Sequence, residues 1–363
     1  MKKSKLPLRK PVRHFTSRFS RLLVIFYFLF FILYLKAQSE NINVVQDAFI
    51  NIATDARSAG LADIGVATNT DAFSQFWNPS KYVFSTKKSE IAINQIFVNK
   101  DQLKGFSQLS VLFYNTIDNR SSYSLSFRNY SFTVDDFIEN GTTSFNKESS
   151  IDAAYTLRLS KVFSMSVAGR FTILSNKTPL INSFLETSSN LYGVDVSGFY
   201  NGNEIAYKHF NGRWRAGFNF SNLRGKSSID NTDIEIYAPS VLKIGAGFDF
   251  IFNQDNNLAI TSEYKKLLES YTENEDGEPL TYGLQGSVAA LGFEYVTMEK
   301  IILRTGYSQG IHRPTDTFGS IGVGFRTDYA SLDLAILLGQ LQKENLARKK
   351  LRVSISLDLA SIF

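Results

Sequence analysis

The chain has 363 residues, no cysteine, three histidines and a formal charge of +5 from 39 basic and 34 acidic side chains. Nine of the basic residues and none of the acidic ones fall within residues 1–37, so the rest carries 30 against 34, a net charge of −4. That balance excludes the basic footprint of a nucleic-acid binder, the lack of cysteine excludes a disulfide scaffold or thiolate metal site, and an apolar content of 44% with 14% aromatics excludes a disordered chain.

Residues 1–37 read as a signal peptide. A basic stretch over 2–21 precedes the 14-residue apolar run Leu22–Leu35 and then Lys36-Ala37-Gln38. An uncleaved anchor is the alternative, but a spanning helix needs about 20 apolar residues. Both readings export the remainder of the chain from the cytoplasm.

Residues 38–86 lack regular alternation and are rich in small side chains: Ala56, Ala59, Gly60, Ala62, Gly65 and Ala67. Small residues permit close packing in a confined space, and Asn78-Pro79 is a turn signal. Composition leaves two readings open, a plug inside a barrel and a periplasmic helix–turn.

From residue 87 to 363 the chain alternates apolar and polar with period two, the mark of strands with two unlike faces. About fourteen segments are expected, near 88–97, 106–117, 121–134, 149–160, 162–174, 191–201, 212–222, 240–252, 257–265, 286–297, 300–308, 317–326, 329–338 and 350–363. Leu351, Val353, Ile355, Leu357, Leu359 and Phe363 share one face of the last. Each segment is near the ~10 residues that a tilted strand needs to cross an outer membrane. Short turns, as at Asp118–Arg120 and Thr297–Glu299, alternate with long polar links at 135–148, 174–190, 222–239 and 266–285. The connection 201–211 breaks that alternation. The expected fold is all-β: a transmembrane antiparallel β-barrel of about 14 strands with an N-terminal plug or hatch, integral to the bacterial outer membrane with both termini periplasmic. A soluble β-sandwich is the competing reading, disfavoured by the strand lengths and the aromatic C-terminus.

With the apolar face toward lipid, the lumen would hold charges of both signs, among them Asp152, Arg170, Arg215, Asp249, Glu294, Arg304, Asp333 and Arg352, as ion pairs rather than a single-sign ring. Tyr114, Tyr155, Phe171, Tyr200, Tyr264, Tyr295, Tyr307 and Phe325 recur near strand ends, where an interfacial girdle would sit. The acidic run Glu273–Glu278 lacks the spacing of a calcium loop. His209 and His312 fall in separate connections and no GxSxG occurs, so no catalytic residues, no metal, no cofactor and no enzymatic activity are expected.

The small-residue segment closing on Asn78-Pro79-Ser80 resembles the hatch of FadL-like outer-membrane barrels, with serine in place of the usual alanine. The longer string from Asp55 to Thr68, with Asp71-Ala72-Phe73-Ser74-Gln75 and Asn78-Pro79, resembles the PorV family of the type IX secretion system; 204–222 and 242–252 support this. The connection Leu267–Gln285 is shorter than in that family. The resemblance marks Arg57, Gly60, Asp63, Asp71, Asn78 and Pro79 as hatch-motif residues. It implies a receptor and shuttle for exported cargo proteins with C-terminal sorting domains. Such a shuttle takes cargo from the giant outer-membrane translocon (SprA/Sov-like) to the sortase PorU and its attachment complex, within outer-membrane lipid. The working surface would be the long outer loops, through apolar tips at Phe137, Ile138, Leu180, Ile181, Phe184, Ile234 and Ile236. The alternative is a FadL-like channel for hydrophobic small molecules, with Phe73, Phe76 and Trp77 left to form a pocket.

Overall fold

The computed structural model describes residues 55–97, 107–136, 142–180, 183–223, 226–228, 235–237, 240–268, 287–311, 317–339 and 351–362. The expected leader and the start of the plug lie outside these residues.

Alternating side chains produce the wall. Strands β1 (Ser89–Phe97), β2 (Ser107–Thr116), β3 (Ser121–Asp136), β4 (Thr142–Arg158), β5 (Phe163–Leu180) and β6 (Ser183–Asn201) run in order around it. The two-residue β7 (Ile205–Ala206) folds back onto the start of β8 (Asn211–Leu223). After a small hairpin of β9 (Lys226–Ser228) and β10 (Glu235–Tyr237), the wall resumes with β11 (Val241–Ile251), β12 (Asn257–Leu267), β13 (Ser287–Thr297) and β14 (Ile301–Ile311). It finishes with β15 (Phe318–Arg326), β16 (Ala330–Gly339) and β17 (Leu351–Asp358), and β17 pairs antiparallel with β1. The result is a closed, all-antiparallel barrel of 14 strands. Closure leaves no sheet edge in the wall, which a lipid environment demands.

The two faces separate as the pattern requires. On β14, Ile301, Leu303 and Tyr307 point outward and are exposed, whereas Ile302, Arg304, Gly306 and Ser308 point inward and are buried. This inverts a soluble protein: most large exposed side chains are Ile, Leu, Val, Phe and Tyr, and the buried set is rich in Ser, Asp, Glu and Arg. An apolar exterior over a polar interior is the membrane-barrel arrangement.

Turns carry their own chemistry. Asp118 Oδ1 accepts hydrogen bonds from the backbone N–H groups of Arg120 (2.7 Å) and Ser121 (2.8 Å), closing the β2–β3 turn. Between β13 and β14, Met298 and Glu299 both take left-handed φ, 54° and 57°. Lys300 N–H donates to Thr297 O (3.2 Å) across these two residues, a turn whose twist matches that of the flanking strands.

Three expectations need correction. The links 135–148 and 174–190 are mostly strand: β3 to β6 are 16, 17, 18 and 19 residues long and pair as far as Asp136↔Thr142 and Leu180↔Ser183. Outside the membrane both faces of a strand meet water, so the apolar–polar alternation vanishes while backbone pairing continues. The last strand stops at Asp358, not at the C-terminus. Asp358 Oδ1 accepts from Ala360 N–H (3.1 Å) and starts a single helical turn, Leu359–Ile362. Leu359 therefore leaves the strand face, and Phe363 lies outside the described residues. Finally, Tyr114 is not a girdle residue. It points inward, fully buried, and stacks on Tyr82 with ring centroids 4.2 Å apart.

Candidate functional site: the plugged lumen and the raised wall

Residues 55–84 fill the lumen as α1 (Ala56–Gly60) and two 3-10 turns, Ala72–Phe76 and Pro79–Phe84. Asp55 caps α1 through its Oδ1, which accepts from Ser58 N–H (2.7 Å); Asn78 Oδ1 caps the last turn at Ser80 N–H (3.2 Å). Pro79 sits at the first position of that turn, where its missing N–H is harmless. The small residues matter through contact. Ala56, Ala59 and Ala62 pack with Phe318, Ala335 and Leu337 of the wall. Wall glycines meet them: Gly322 lies against Gly60, and Gly306 lies beneath the Leu61 backbone.

Of the motif residues, Arg57, Asp63 and Asp71 form ion pairs, while Gly60, Asn78 and Pro79 act by packing and backbone bonds. Arg57 donates to both oxygens of Glu294 on β13 (2.8 Å each) and to Asp71 Oδ2 (2.7 Å). Glu294 also accepts from Arg304 Nε (2.7 Å), whose Nη1 reaches Asp333 Oδ1 at 2.6 Å. Asp71–Arg57–Glu294–Arg304–Asp333 is thus one chain of alternating sign crossing from plug to wall. Asp63 pairs with Arg352 (3.3 Å). Asn78 Nδ2 donates to Val66 O inside the plug and to Gly198 O on β6, 2.9 Å each. The carbonyl of Pro79 accepts from Thr156 Oγ1 (3.0 Å). A second ladder, Arg128–Asp152–Arg170–Asp195, runs along the inner face of β3 to β6.

Burial tunes the plug's charges. It pushes Asp55 up to about 6, with Asp71 adding to the effect and hydrogen bonds from Ser58 and Trp77 opposing it. It also presses Lys81 down to about 8 against the pull of Asp71. Burial opposes ionisation of Asp71, but Arg57 and Lys81 outweigh it and hold that carboxyl below its usual range.

Sequence reasoning missed Lys81 and Glu263. Lys81 Nζ donates to Gly65 O (2.8 Å) and Thr68 Oγ1 (3.0 Å). Glu263 Oε2 accepts the N–H groups of Gly65 (2.9 Å) and Val66 (2.8 Å). Neither stands in a motif; the one available signal was a lone charge on the lumenal face of a strand or in a small-residue segment. The hatch aromatics do not come together in one apolar pocket, though Phe73 borders a polar cavity. Phe73 packs with Ala92, Leu112 and Tyr114, Phe76 lies under Arg128 (4.8 Å), and Trp77 lies under Lys243 (4.6 Å) and donates to Asp55 Oδ2 (2.8 Å). A cavity of about 340 Å³ opens at the short-turn end, but charged and polar groups line much of it, among them Arg57, Asp71, Lys87, Glu90, Arg213 and Asp333. No group of acidic or histidine side chains among the described residues is arranged to hold a metal ion.

At the opposite end, β3 to β6 rise past the rest of the barrel. Of the expected apolar tips, Leu180 and Phe184 sit at the end of the β5–β6 hairpin and Ile236 is in β10. Phe137, Ile138, Ile181 and Ile234 lie outside the described residues.

A closed antiparallel barrel with a lipid-compatible exterior and an N-terminal plug defines an integral outer-membrane protein with the FadL-like fold. Solved structures agree on the fold. A monoaromatic hydrocarbon channel, CymD, superposes with a TM-score of 0.55 at 11% identity, over 86% of this chain and 99% of that one. A FadL homologue of Pseudomonas aeruginosa gives 0.51 at 11% identity, over 84% and 98%. The toluene transporter TodX of Pseudomonas putida gives 0.50 at 12% identity, over 82% and 95%. No curated protein matches the sequence. The family of the type IX secretion system protein PorV matches residues 35–273, more than half of the chain, and the chain belongs to that family.

Proposed function

We propose that this barrel is the cargo receptor and shuttle of a type IX secretion system. It binds exported proteins through their C-terminal sorting domains at the giant outer-membrane translocon. It then delivers them to the sortase PorU and its attachment complex. Membership of the PorV family carries this reading. The short-turn end faces the periplasm, with both termini, and the raised wall of β3 to β6 faces outward. The barrel performs no chemistry itself; a receptor needs a surface, and the tall hairpins supply one.

The filled lumen supports the receptor reading over transport of hydrophobic small molecules. A channel for such molecules needs an apolar path, whereas here ion pairs and a docked plug occupy the space between the walls. Affinity purification of the tagged protein from detergent-solubilised outer membranes, read by mass spectrometry, tests the choice. Enrichment of the translocon, the sortase complex or proteins with sorting domains is expected. A barrel carrying only lipid or fatty acid would refute the receptor reading. Cutting 176–190 to a short turn should abolish cargo capture while the barrel still folds, and normal capture by that variant would refute the placement of the working surface.

A further inference from the structure

The connection 201–211 departs from the alternation of short and long links and lies at the short-turn end, away from the raised wall. Its backbone is a bulged extension of the hairpin from β6 to β8. Gly202 N–H donates to Trp214 O (2.9 Å), the chain passes Asn203 and Glu204, and Ile205–Ala206 resume pairing with Gly212 and Asn211. Tyr207 N–H donates to Phe210 O (2.9 Å) and closes the tip.

Pairing decides which way these side chains point. Ile205 lies opposite Gly212, and Gly212 shares the outer face of β8 with Trp214, two residues on. A Cβ on Gly212 would overlap the rings of Phe248 and Tyr207, so both cover that face. Phe210 stacks on Tyr207 with centroids 4.9 Å apart and meets Phe248, Phe250 and Phe252 at 6.4, 5.1 and 6.4 Å. Trp214 packs edge-on against Phe248 at 4.8 Å. The connection is therefore fastened by aromatic rings to the outer, lipid-facing side of β8 and β11, and continues their apolar surface.

This surface has polar atoms that no protein group serves. Tyr207 and Trp214 are 40% and 53% exposed, and Ile205 and Phe252 are exposed beside them. Among the described residues, nothing accepts a hydrogen bond from Trp214 Nε1 or Tyr207 Oη. Hydrocarbon would leave both donors unpaired, and bulk water would leave the apolar rings wet. Only the layer of glycerol esters and phosphates offers acceptors above an apolar floor. Glu204 and Lys208, both exposed, give the connection one charge of each sign, which suits a zwitterionic headgroup.

We propose that residues 202–211 form an interfacial foot seated in the phospholipid headgroup layer of the periplasmic leaflet. The ring faces rest on the first carbons of the acyl chains, and Tyr207 Oη, Trp214 Nε1 and Lys208 Nζ lie among ester and phosphate oxygens. The foot sets the depth at which the β8–β11 side rides in the bilayer. It rests on the membrane placement of the barrel and is independent of the receptor reading.

The test uses the full-length protein in bilayers of phosphatidylethanolamine and phosphatidylglycerol. Tyr207→Trp combined with Trp214→Phe puts one tryptophan on the foot, and Trp214→Phe alone supplies the background of the buried Trp77. Lipids brominated near the glycerol end, at mid-chain or near the methyl end of the acyl chains then report depth. Quenching should be strongest from the glycerol end and weakest from the methyl end. It should persist without phosphatidylglycerol, because the charges of Glu204 and Lys208 cancel. Phe210→Ala removes the ring on which Tyr207 and the wall aromatics meet. It should raise the undocked population of the foot at least about 10-fold and cut the quenching, while the barrel stays heat-modifiable. Quenching by aqueous acrylamide but by no brominated lipid would overturn the proposal, since the foot would then stand in the periplasm. Strongest quenching from the methyl end would overturn it too.

Discussion

Replacing Gly306 by alanine should loosen the plug, and the structure sets the size of the effect. Gly306 faces the lumen on β14, directly under the plug backbone. An added Cβ would overlap the Leu61 carbonyl carbon and lie 2.7 Å from Ala62 N, where ordinary contact begins at 3.4 Å. The plug would have to rise by about 0.7 Å or more, and it has little freedom to do so. Ala62 and Asp63 are held at φ 59° and 62°, and Ala62 N–H donates to Ser320 Oγ at 2.8 Å. Overpacking costs about 1–3 kcal/mol and a lost buried hydrogen bond about 1–3 kcal/mol more. Docking should weaken by about 2–6 kcal/mol, and 2 kcal/mol raises the open population roughly 30-fold. Trypsin reads that population, because cleavage after Arg57 and Lys81, both buried in the docked plug, requires release. Gly169→Ala is the control: it lies on β5 with nothing within 4 Å of its added Cβ, and should be silent. Equal cleavage of the two variants would refute the close-approach argument.

Arg57→Ala strips Asp71 of its guanidinium partner and Glu294 of one of two; breaking a buried pair costs about 3–5 kcal/mol, so plug cleavage should accelerate strongly. Lys87→Ala, at a partly exposed pair with Glu90, should change it by under about 1 kcal/mol. Lys81 should give plug docking a pH dependence. Its folded value of about 8 lies below the ordinary 10.5, so the docked plug binds fewer protons between these limits and docking strengthens as pH rises through that window. Trp77 emission in a Trp214→Phe background would report this during urea titration, since these are the two tryptophans of the chain, and Lys81→Met should flatten the slope. On the lipid face, Leu291→Arg in the middle of β13 should cost about 2–4 kcal/mol of barrel stability, and Ile301→Arg at the end of β14 about 0–1 kcal/mol. Equal losses from refolding titrations in bilayers would refute the assigned membrane position.

The alternation of side chains by itself determined the strands. From β8 to β16, the small β9–β10 hairpin excepted, the pattern located each one to within about three residues, because a strand between lipid and a polar lumen must alternate at every step. Family resemblance singled out Arg57, Asp71 and Asn78; composition left their segment open between a plug and a periplasmic helix–turn. What the sequence could not determine is where pattern and pairing part company. Residues 142–148 and 183–190 lack the apolar–polar alternation, so nothing in their sequence records that their backbones stay in the ladder. The inward turn of Tyr114 onto Tyr82, and the union of Arg57 with Glu294 across 237 positions of chain, depend on the register of a closed ring. That register is fixed only when β17 meets β1. Tertiary closure therefore decided which charges pair and how the plug is held.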